Sequence, residues 1–219
     1  MKRLAVLVAL SCTTAFAAEK TLTFSQPLGE LAAVKLAVGA GDVTVTACTC
    51  SEVTATVTVS GKRWQLEELE VVPKIEGKTL QLALEPRTRG NKKLGEDWRL
   101  QLPRSLSFTV HAGVGDVRIS GLWGDVEVQL GVGDVRVEGL SGNLKAETGV
   151  GDVEVFGQWG NVGRLRLTTG VGSVSVRTPQ GKLAGHGLVS EALSEEGPGR
   201  WSVRISTGVG DITLHLKDE

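Results

Sequence analysis

The stretch GVGDVEV (149–155) recurs along the chain with small changes. Its copies are GVGDVRI (113–119), GVGDVRV (131–137), GVGSVSV (170–176) and GVGDITL (208–214), with GAGDVTV (39–45) as an earlier relative. The starts of the five GVG copies are 18, 18, 21 and 38 residues apart. A fixed period near 20 residues is typical of repeat proteins whose units stack on one another. The repeat therefore predicts a stack of similar coils in which each coil lies on the preceding one and is templated by it.

Each copy has the side-chain period of a β-strand. Val135 and Val137 alternate with Arg136 and Glu138, so the valines face one side and the charged residues the other. A nine-residue pattern occurs twice per 18-residue coil, and its glycines let the chain turn sharply. Coils stacked about 4.8 Å apart would join the valine pairs into one core. The sequence thus predicts an all-β fold, a parallel β-helix (solenoid) with about 18 residues per coil in the C-terminal half.

Composition and charge agree with this class and exclude one kind of partner. The 219 residues include Gly 29 and Tyr 0, which favours a turn-rich β protein. Lys+Arg 24 against Asp+Glu 25 gives a net charge of −1, and no basic stripe is visible. Nucleic-acid binding is therefore not expected, because it requires a basic footprint.

The N-terminal sequence MKRLAVLVALSCTTAFAAEK predicts a secretory signal peptide over residues 1–18. Lys2 and Arg3 are followed by an apolar stretch and by the small residues of an AFA cleavage site. An alternative stays open, since ALSC is a loose lipobox and Cys12 could carry a lipid anchor. No later segment predicts a transmembrane helix. We expect an exported protein that is periplasmic, at the cell surface or secreted.

The remaining residues, 19–219, are predicted to form a single β-solenoid domain. Residues 19–105 hold irregular strands, and residues 106–219 hold the regular repeats. The segment 182–200 is rich in glycine and glutamate and predicts an excursion from the stack. The 21-residue step predicts a bulge or longer turn around 161–167.

Cys48 and Cys50 are the cysteines left after the leader. An oxidising compartment permits a disulfide between them. Residues i and i+2 of a flat strand, however, have poor geometry for a disulfide. A turn at this point would relax the geometry. The sequence favours a turn with two small side chains that can be oxidised.

Trp123 and Trp159 are the candidate ligand contacts. Both occupy the same slot of the nine-residue pattern, two coils apart, with Ser141 between them. Stacked aromatic residues on a solenoid can bind sugars, whereas packing at the edge of the core is the commoner role of tryptophan. Both interpretations remain open at this point.

No catalytic, cofactor or metal site is predicted. The recurrent aspartates, which are Asp42, Asp116, Asp134, Asp152 and Asp211, raise a calcium hypothesis. Ser173 replaces the aspartate in the fourth copy, so a turn role in which the carboxylate accepts backbone N–H groups is favoured. His111, His186 and His215 are scattered and indicate no nucleophile–base pair.

The segment LQLPRSLSFTVHAGVGDVRISGLWGDVEV (100–128) and the closing TGVGDITL (207–214) resemble a known bacterial family. It is the putative-adhesin family of β-strand-repeat domains of unknown function, akin to the auto-transporter-adhesin-head-like domains. The resemblance covers about residues 20–219 and implies a right-handed parallel β-helix in the cell envelope. It carries no catalytic residues.

Three functions compete on this sequence. The first is a non-enzymatic, adhesin-like envelope or surface module that presents a solenoid face to an unknown partner, a glycan or a protein. The second is a structural element that self-associates through its open ends. The third is a polysaccharide-acting β-helix enzyme, for which the outward positions offer no focus of acids and bases. The first is the prediction.

Overall fold

The computed structural model describes residues 8–9, 18–62, 66–86, 94–184 and 191–218. These residues form strands joined by turns, with a 3-10 helix at Trp159–Asn161. The strands make two mixed sheets of eleven and nine strands, so the predicted all-β class is confirmed. Cys12, His186 and nearly all of the predicted leader lie outside the described residues.

The first sheet contains, in spatial order, β1 (Val8–Ala9), β2 (Ala18–Pro27), β5 (Glu52–Gly61), β8 (Gly95–Pro103), β4 (Val43–Cys48), β10 (Val117–Ser120), β12 (Val135–Glu138), β14 (Val153–Gln158), β20 (Ile212–Lys217), β16 (Val174–Thr178) and β17 (Gly181–Ala184). The second contains β18 (Glu191–Glu196), β15 (Val162–Val171), β19 (Trp201–Val209), β13 (Leu144–Val150), β11 (Val126–Val132), β9 (Ser107–Val114), β3 (Ala33–Ala40), β7 (Thr79–Pro86) and β6 (Leu69–Glu76).

Six rungs build the repeat region, where a rung is one strand in each sheet joined at a glycine corner. In chain order the rungs are β3–β4, β9–β10, β11–β12, β13–β14, β15–β16 and β19–β20. Neighbouring rungs pair in parallel, and Val135 lies opposite Val117 on one side and Val153 on the other. The 18-residue repeat is therefore the sequence separation of residues that face each other on adjacent strands.

The rungs are not stacked in chain order. The last rung in the chain, β19–β20, lies between β13–β14 and β15–β16 in both sheets. The expectation that every coil stacks on its predecessor is therefore wrong for the last two rungs. The 21-residue step explains the skip, because its extra residues form the 3-10 helix and a register shift between Val162 and Arg164. This longer connection lets the chain cross two strand spacings instead of one.

Antiparallel strands close the stack at both ends. In the region of the predicted excursion, β17 pairs with β16 and β18 pairs with β15. At the other end, β6 pairs antiparallel with β7, while β8 and β2 flank β5 in the same manner. The exposed end strand β6 carries Pro73 and Lys74, which are features that discourage pairing with another chain.

The core lies between the two sheets, and in the repeat region it includes the inward pairs that the sequence predicts. These residues are at most 4% exposed: Val117 and Ile119, Val126 and Val128, Val135 and Val137, Leu144 and Ala146, Val153 and Val155, Val174 and Val176, and Ile212 and Leu214. Burial of a valine side chain contributes about 1.5–3 kcal/mol relative to exposure. The alternation of the repeat therefore supplies one continuous apolar core along the stack.

Both glycines of each GVG corner are required by the closeness of the rungs. A Cβ atom on Gly131 would lie 2.4 Å from the carbonyl oxygen of Gly113. A Cβ atom on Gly133 would lie 2.1 Å from the carbonyl oxygen of Gly115, and Gly133 also has a φ of +135°. Side chains are excluded at these positions because backbone of the adjacent rung occupies the space.

Candidate binding surface at the rung corners

A column of aspartates follows the glycine corners from rung to rung. The carboxylate Oδ1 of Asp134 accepts a hydrogen bond from the backbone N–H of Asp152 at 2.9 Å. Asp152 accepts in the same way from Asp211 at 2.7 Å, and Asp116 accepts from Asp134 at 3.1 Å. The expected acceptance of backbone N–H groups is therefore present, but the N–H belongs to the next rung and not to the same turn.

Ser173 ends this column for a reason that the stacking order makes clear. Its N–H and hydroxyl donate to Oδ1 of Asp211 at 2.7 and 3.0 Å. Its rung is the last of the six in space. Among the described residues, no further rung therefore presents a backbone N–H that a carboxylate at position 173 could accept. An aspartate at position 173 would add a charge without a backbone donor.

The aspartate column gives a prediction about stability. Asp134→Asn keeps an oxygen acceptor but removes one of several stacked negative charges, and like charges on directly opposed residues are destabilising. We expect Asp134→Asn to unfold at the same or a slightly higher temperature than wild type. Asp134→Ala removes the acceptor and should cost about 1 kcal/mol. Calcium and chelator should leave all three melting curves unchanged, and a marked loss of stability with chelator would instead support calcium ligation.

An exposed valine column, here called the valine ridge, runs along the same corners. It consists of Val114, Val132, Val150, Val209 and Val171, which are between 47% and 54% exposed. Strand pairing places Val132 between Val114 and Val150, and Val209 between Val150 and Val171. The ridge therefore presents apolar surface on five successive rungs.

A shallow groove, widely open to solvent, lies beside the valine ridge on the second sheet. Its volume is about 660 Å³, and the column Gly113, Gly131 and Gly149 forms part of its lining. The polar residues along it are His111, Gln129, Glu147 and Ser206, which are successive partners in the strand register. The groove thus has one polar side, a glycine lining, and the valine ridge one residue beyond the glycines.

Ion pairs neutralise part of the charge on the outward side chains near this groove. Lys145 Nζ lies 2.9 Å from a carboxylate oxygen of Glu127 and 3.3 Å from one of Glu147. The hydrogen bond from Lys145 is the main reason that the pKa of Glu127 lies below its usual range. Glu127 is therefore held as an anion, which disfavours it as a general acid.

The structure does not place Trp123 and Trp159 in one column. Trp123 is 57% exposed, with the Arg104 guanidinium 5.4 Å from its ring centroid. Trp159 belongs to the 3-10 helix and packs partly buried against the core. Two rungs lie between the tryptophans, namely β13–β14, which follows Ser141, and β19–β20, which begins at Trp201. The second of these is there because the last rung is inserted at this point of the stack. The pair thus presents no shared aromatic surface, and a ligand contact at Trp123 alone stays a prediction.

Aromatic stacking elsewhere offers no open ring face. Phe156 stacks on His215 with centroids 4.6 Å apart, and the Arg136 guanidinium lies 4.3 Å from the phenyl centroid. Arg136 and His215 come from strands on opposite sides of β14, so both faces of Phe156 are covered. This cluster therefore stabilises the outer face of the first sheet and is not a sugar-stacking platform.

Cys48 and Cys50 are joined by a disulfide with a Cα–Cα distance of 5.2 Å. Cys48 ends β4, and the chain bends directly after it, which supplies the turn that the sequence analysis required. Oxidation in the natural compartment remains a prediction. Intact-mass measurement before and after reduction checks it.

The remaining candidates form no catalytic cluster within the described residues. His111 lies in the groove and His215 lies on the first sheet, so they belong to different surfaces. Among the residues that the structure describes, no set of three or more His, Cys, Asp or Glu side chains is arranged to hold a metal ion. No helix in this part of the chain is long and apolar enough to span a membrane.

A family model matches residues 17–155, which is more than half of the chain. The model is described as the N-terminal domain of toast_rack, DUF2154. The chain belongs to this family. A search of curated proteins found no match.

Comparison with solved structures finds a protein with a similar fold at low sequence identity. A putative cell adhesion protein from Clostridium sporogenes ATCC 15579 has 17% identity and a TM-score of 0.62, with 92% of this chain and 100% of that chain covered. A putative adhesin from Bacteroides fragilis NCTC 9343 has 16% identity and a TM-score of 0.28, with 90% and 97% covered. At these identities the first likeness concerns the fold alone, and the second carries no argument.

The valine ridge could not be predicted from the alternation of side chains. The valine of GVG lies in the turn between two strands, where alternation does not indicate whether a side chain faces inward or outward. A signal was present, because all five GVG copies keep a β-branched residue at a corner where a small or polar residue is usual.

Proposed function

We propose that the chain is a non-enzymatic, adhesin-like module that is exported to the cell envelope or surface. In this proposal residues 1–18 are a signal peptide, and the six rungs form a β-solenoid that presents one long face to a partner. The parallel pairing of rungs at an 18-residue separation supports the solenoid description. The observation that carries the binding role is the valine ridge.

The valine ridge is an unusual surface for a module without a partner. Five neighbouring valines, each about half exposed, form a line across five rungs. Contiguous exposed apolar surface bordered by polar residues marks interaction sites, whereas single exposed apolar residues are ordinary. The ridge has the aspartate column on one side and the polar groove on the other, which fits such a border.

Two observations favour this role over the alternatives. The end strands of the second sheet, β6 and β18, carry Pro73, Lys74 and the acidic residues Glu195 and Glu196, so self-association through the edges of this sheet is disfavoured. The outward glutamates near the groove are paired with Lys145, which disfavours general acid catalysis on a polysaccharide.

A ridge variant tests the proposal. Val132→Thr/Val150→Thr keeps the side-chain shape but places hydroxyls on the ridge. Each valine would bury roughly half of its surface in a complex, so we expect about a tenfold or greater loss of binding. The measurement is retention of labelled protein by isolated envelope of the native host, as a function of concentration.

The matched control is Ile75→Thr, because Ile75 is 52% exposed but lies on β6, away from the ridge. It should bind like wild type. Equal binding by all three proteins would remove the ridge from the proposal. Release of soluble fragments from the envelope by purified protein would contradict the non-enzymatic role.

A further inference from the structure

We propose that the groove beside the valine ridge binds a neutral, linear, hydroxyl-rich glycan that lies along the stack, across the strands. This inference rests on the proposed function and names the ligand class of the same surface. The groove is defined by its polar residues His111, Gln129, Glu147 and Ser206 and by the glycine column next to them.

The groove offers no free backbone for a peptide strand. Its residues belong to β9, β11, β13 and β19, which are central strands paired on both sides. An added peptide strand needs an exposed sheet edge with unpaired N–H and C=O groups. A ligand in this groove must therefore be recognised by side chains and by contact with the glycine lining.

The spacing of the polar residues also disfavours an extended peptide. Successive rungs repeat about every 4.8 Å, whereas side chains on one side of an extended peptide repeat about every 6.7 Å. A peptide side chain that matched one rung would fall between the next two. In a linear β-1,4-linked glycan, each pyranose ring lengthens the chain by about the spacing between two rungs. Each ring can therefore meet one polar side chain.

The chemistry of the two sides matches a sugar ring. His111, Gln129, Glu147 and Ser206 supply both donors and acceptors for hydroxyl groups. The glycine column and the valine ridge beyond it supply apolar contact for ring C–H groups. Gln129 Nε2 donates to Glu127 at 3.3 Å and Glu147 pairs with Lys145, so these side chains are held in position before a ligand binds.

The charge around the groove favours a neutral ligand. Glu147 lies within it, Glu127 lies beside it, and the aspartate column follows beyond the valine ridge. Lys145 is paired with both glutamates and offsets the charge of one, so an anionic polymer would still meet a net negative charge here. Arg166 and Arg204 face each other across β15 and β19 on the same sheet and offer such a polymer a different site.

The test uses purified full-length protein and neutral β-1,4-linked gluco-oligosaccharides of two to six units, measured by calorimetry. Affinity should rise with length until the chain spans the four polar rungs and then level off. Gln129→Ala/Glu147→Ala should weaken hexasaccharide binding by about tenfold or more, since the variant loses an amide and a charged partner for the sugar hydroxyls. Both side chains lie on the outer face of the sheet, where such substitutions leave the fold intact.

The control variant is Gln101→Ala/Glu85→Ala, which removes the same residue types at exposed positions on β8 and β7. It should bind the hexasaccharide like wild type. Absence of binding, or equal binding by both double variants, would overturn the glycan site. If envelope binding still depended on the valine ridge, the proposed function would stand without it. Binding of dextran sulfate, but not the hexasaccharide, that is lost in Arg166→Gln/Arg204→Gln would overturn the neutral class.

Discussion

Gly133→Ala is expected to unfold the repeat stack under conditions in which the wild-type protein is fully folded. The added Cβ would lie 2.1 Å from the carbonyl oxygen of Gly115, a distance that real Cβ contacts do not reach. Neither partner can move freely, because Gly115 N–H bonds to Val132 and Gly133 N–H bonds to Val150, at 3.0 and 2.9 Å. The two rungs must therefore separate at this corner.

The size of the effect follows from two separate causes. Gly133 has a φ of +135°, a region that costs a non-glycine residue about 1–3 kcal/mol. The clash adds the loss of in-register pairing and core contact between rungs. We therefore expect a total destabilisation well above 3 kcal/mol, measured as a shift of the denaturant midpoint.

Gly181→Ala is the control that separates the two causes. Gly181 has nearly the same φ, +140°, but nothing lies within 4 Å of an added Cβ there. The free energy of unfolding of this variant should fall only by the cost of backbone strain, about 1–3 kcal/mol. If both variants lost the same stability, the corner glycines would be needed for conformation and not for the close approach of rungs.

The facing of the strands could be predicted from sequence because it depends on local alternation alone. A period of two assigns Val135 inward and Arg136 outward without knowledge of the neighbouring strand. The fixed separation of 18 residues then gives the partner of each residue in the regular region. Pairings such as Glu127 with Lys145 follow directly and are present in the structure.

The order of the last two rungs could not be predicted in this way. The GVGS and GVGD copies have the same glycines and both have two aliphatic inward residues, so either can stack on β13–β14 as far as local pattern is concerned. The longer steps of 21 and 38 residues between the starts of successive copies permit the exchange but do not require it. Ser173 was the informative residue, since only the terminal rung can dispense with the carboxylate.

The shared column of Trp123 and Trp159 was predicted wrongly for the same reason, whereas their role as ligand contacts stays a prediction. Trp123 and Trp159 share a slot in the sequence pattern, but the inserted rung separates them in space. The valine ridge and the groove depend on how the corner bends, and side-chain periodicity contains no information about a bend. Periodicity thus predicts faces within strands, whereas surfaces at corners and between rungs require the three-dimensional order.

Removal of residues 201–219 is expected to unfold residues 162–184 although they precede the deleted segment. The deletion removes β19 and β20, which are the only parallel partners of β15 and β16 in the described structure. The remaining antiparallel pairs, β15 with β18 and β16 with β17, would have no sheet beneath them, and isolated two-stranded pairs are marginal in water. Amide hydrogen exchange should show protection lost over 162–184 and kept over 107–155.

Disulfide trapping in the full-length chain tests the same order without a deletion. Lys145 and Arg204 are partners on adjacent strands, so Lys145→Cys/Arg204→Cys should cross-link on oxidation. Lys145→Cys/Arg166→Cys spans two strand spacings, about 9.6 Å, which exceeds the reach of a disulfide of about 7 Å between Cα atoms. Stacking in chain order would reverse this result, because β15 would then lie directly on β13. Cross-linking of the second pair but not the first, together with retained protection of 162–178 in the truncated chain, would therefore show that the last rung is not inserted.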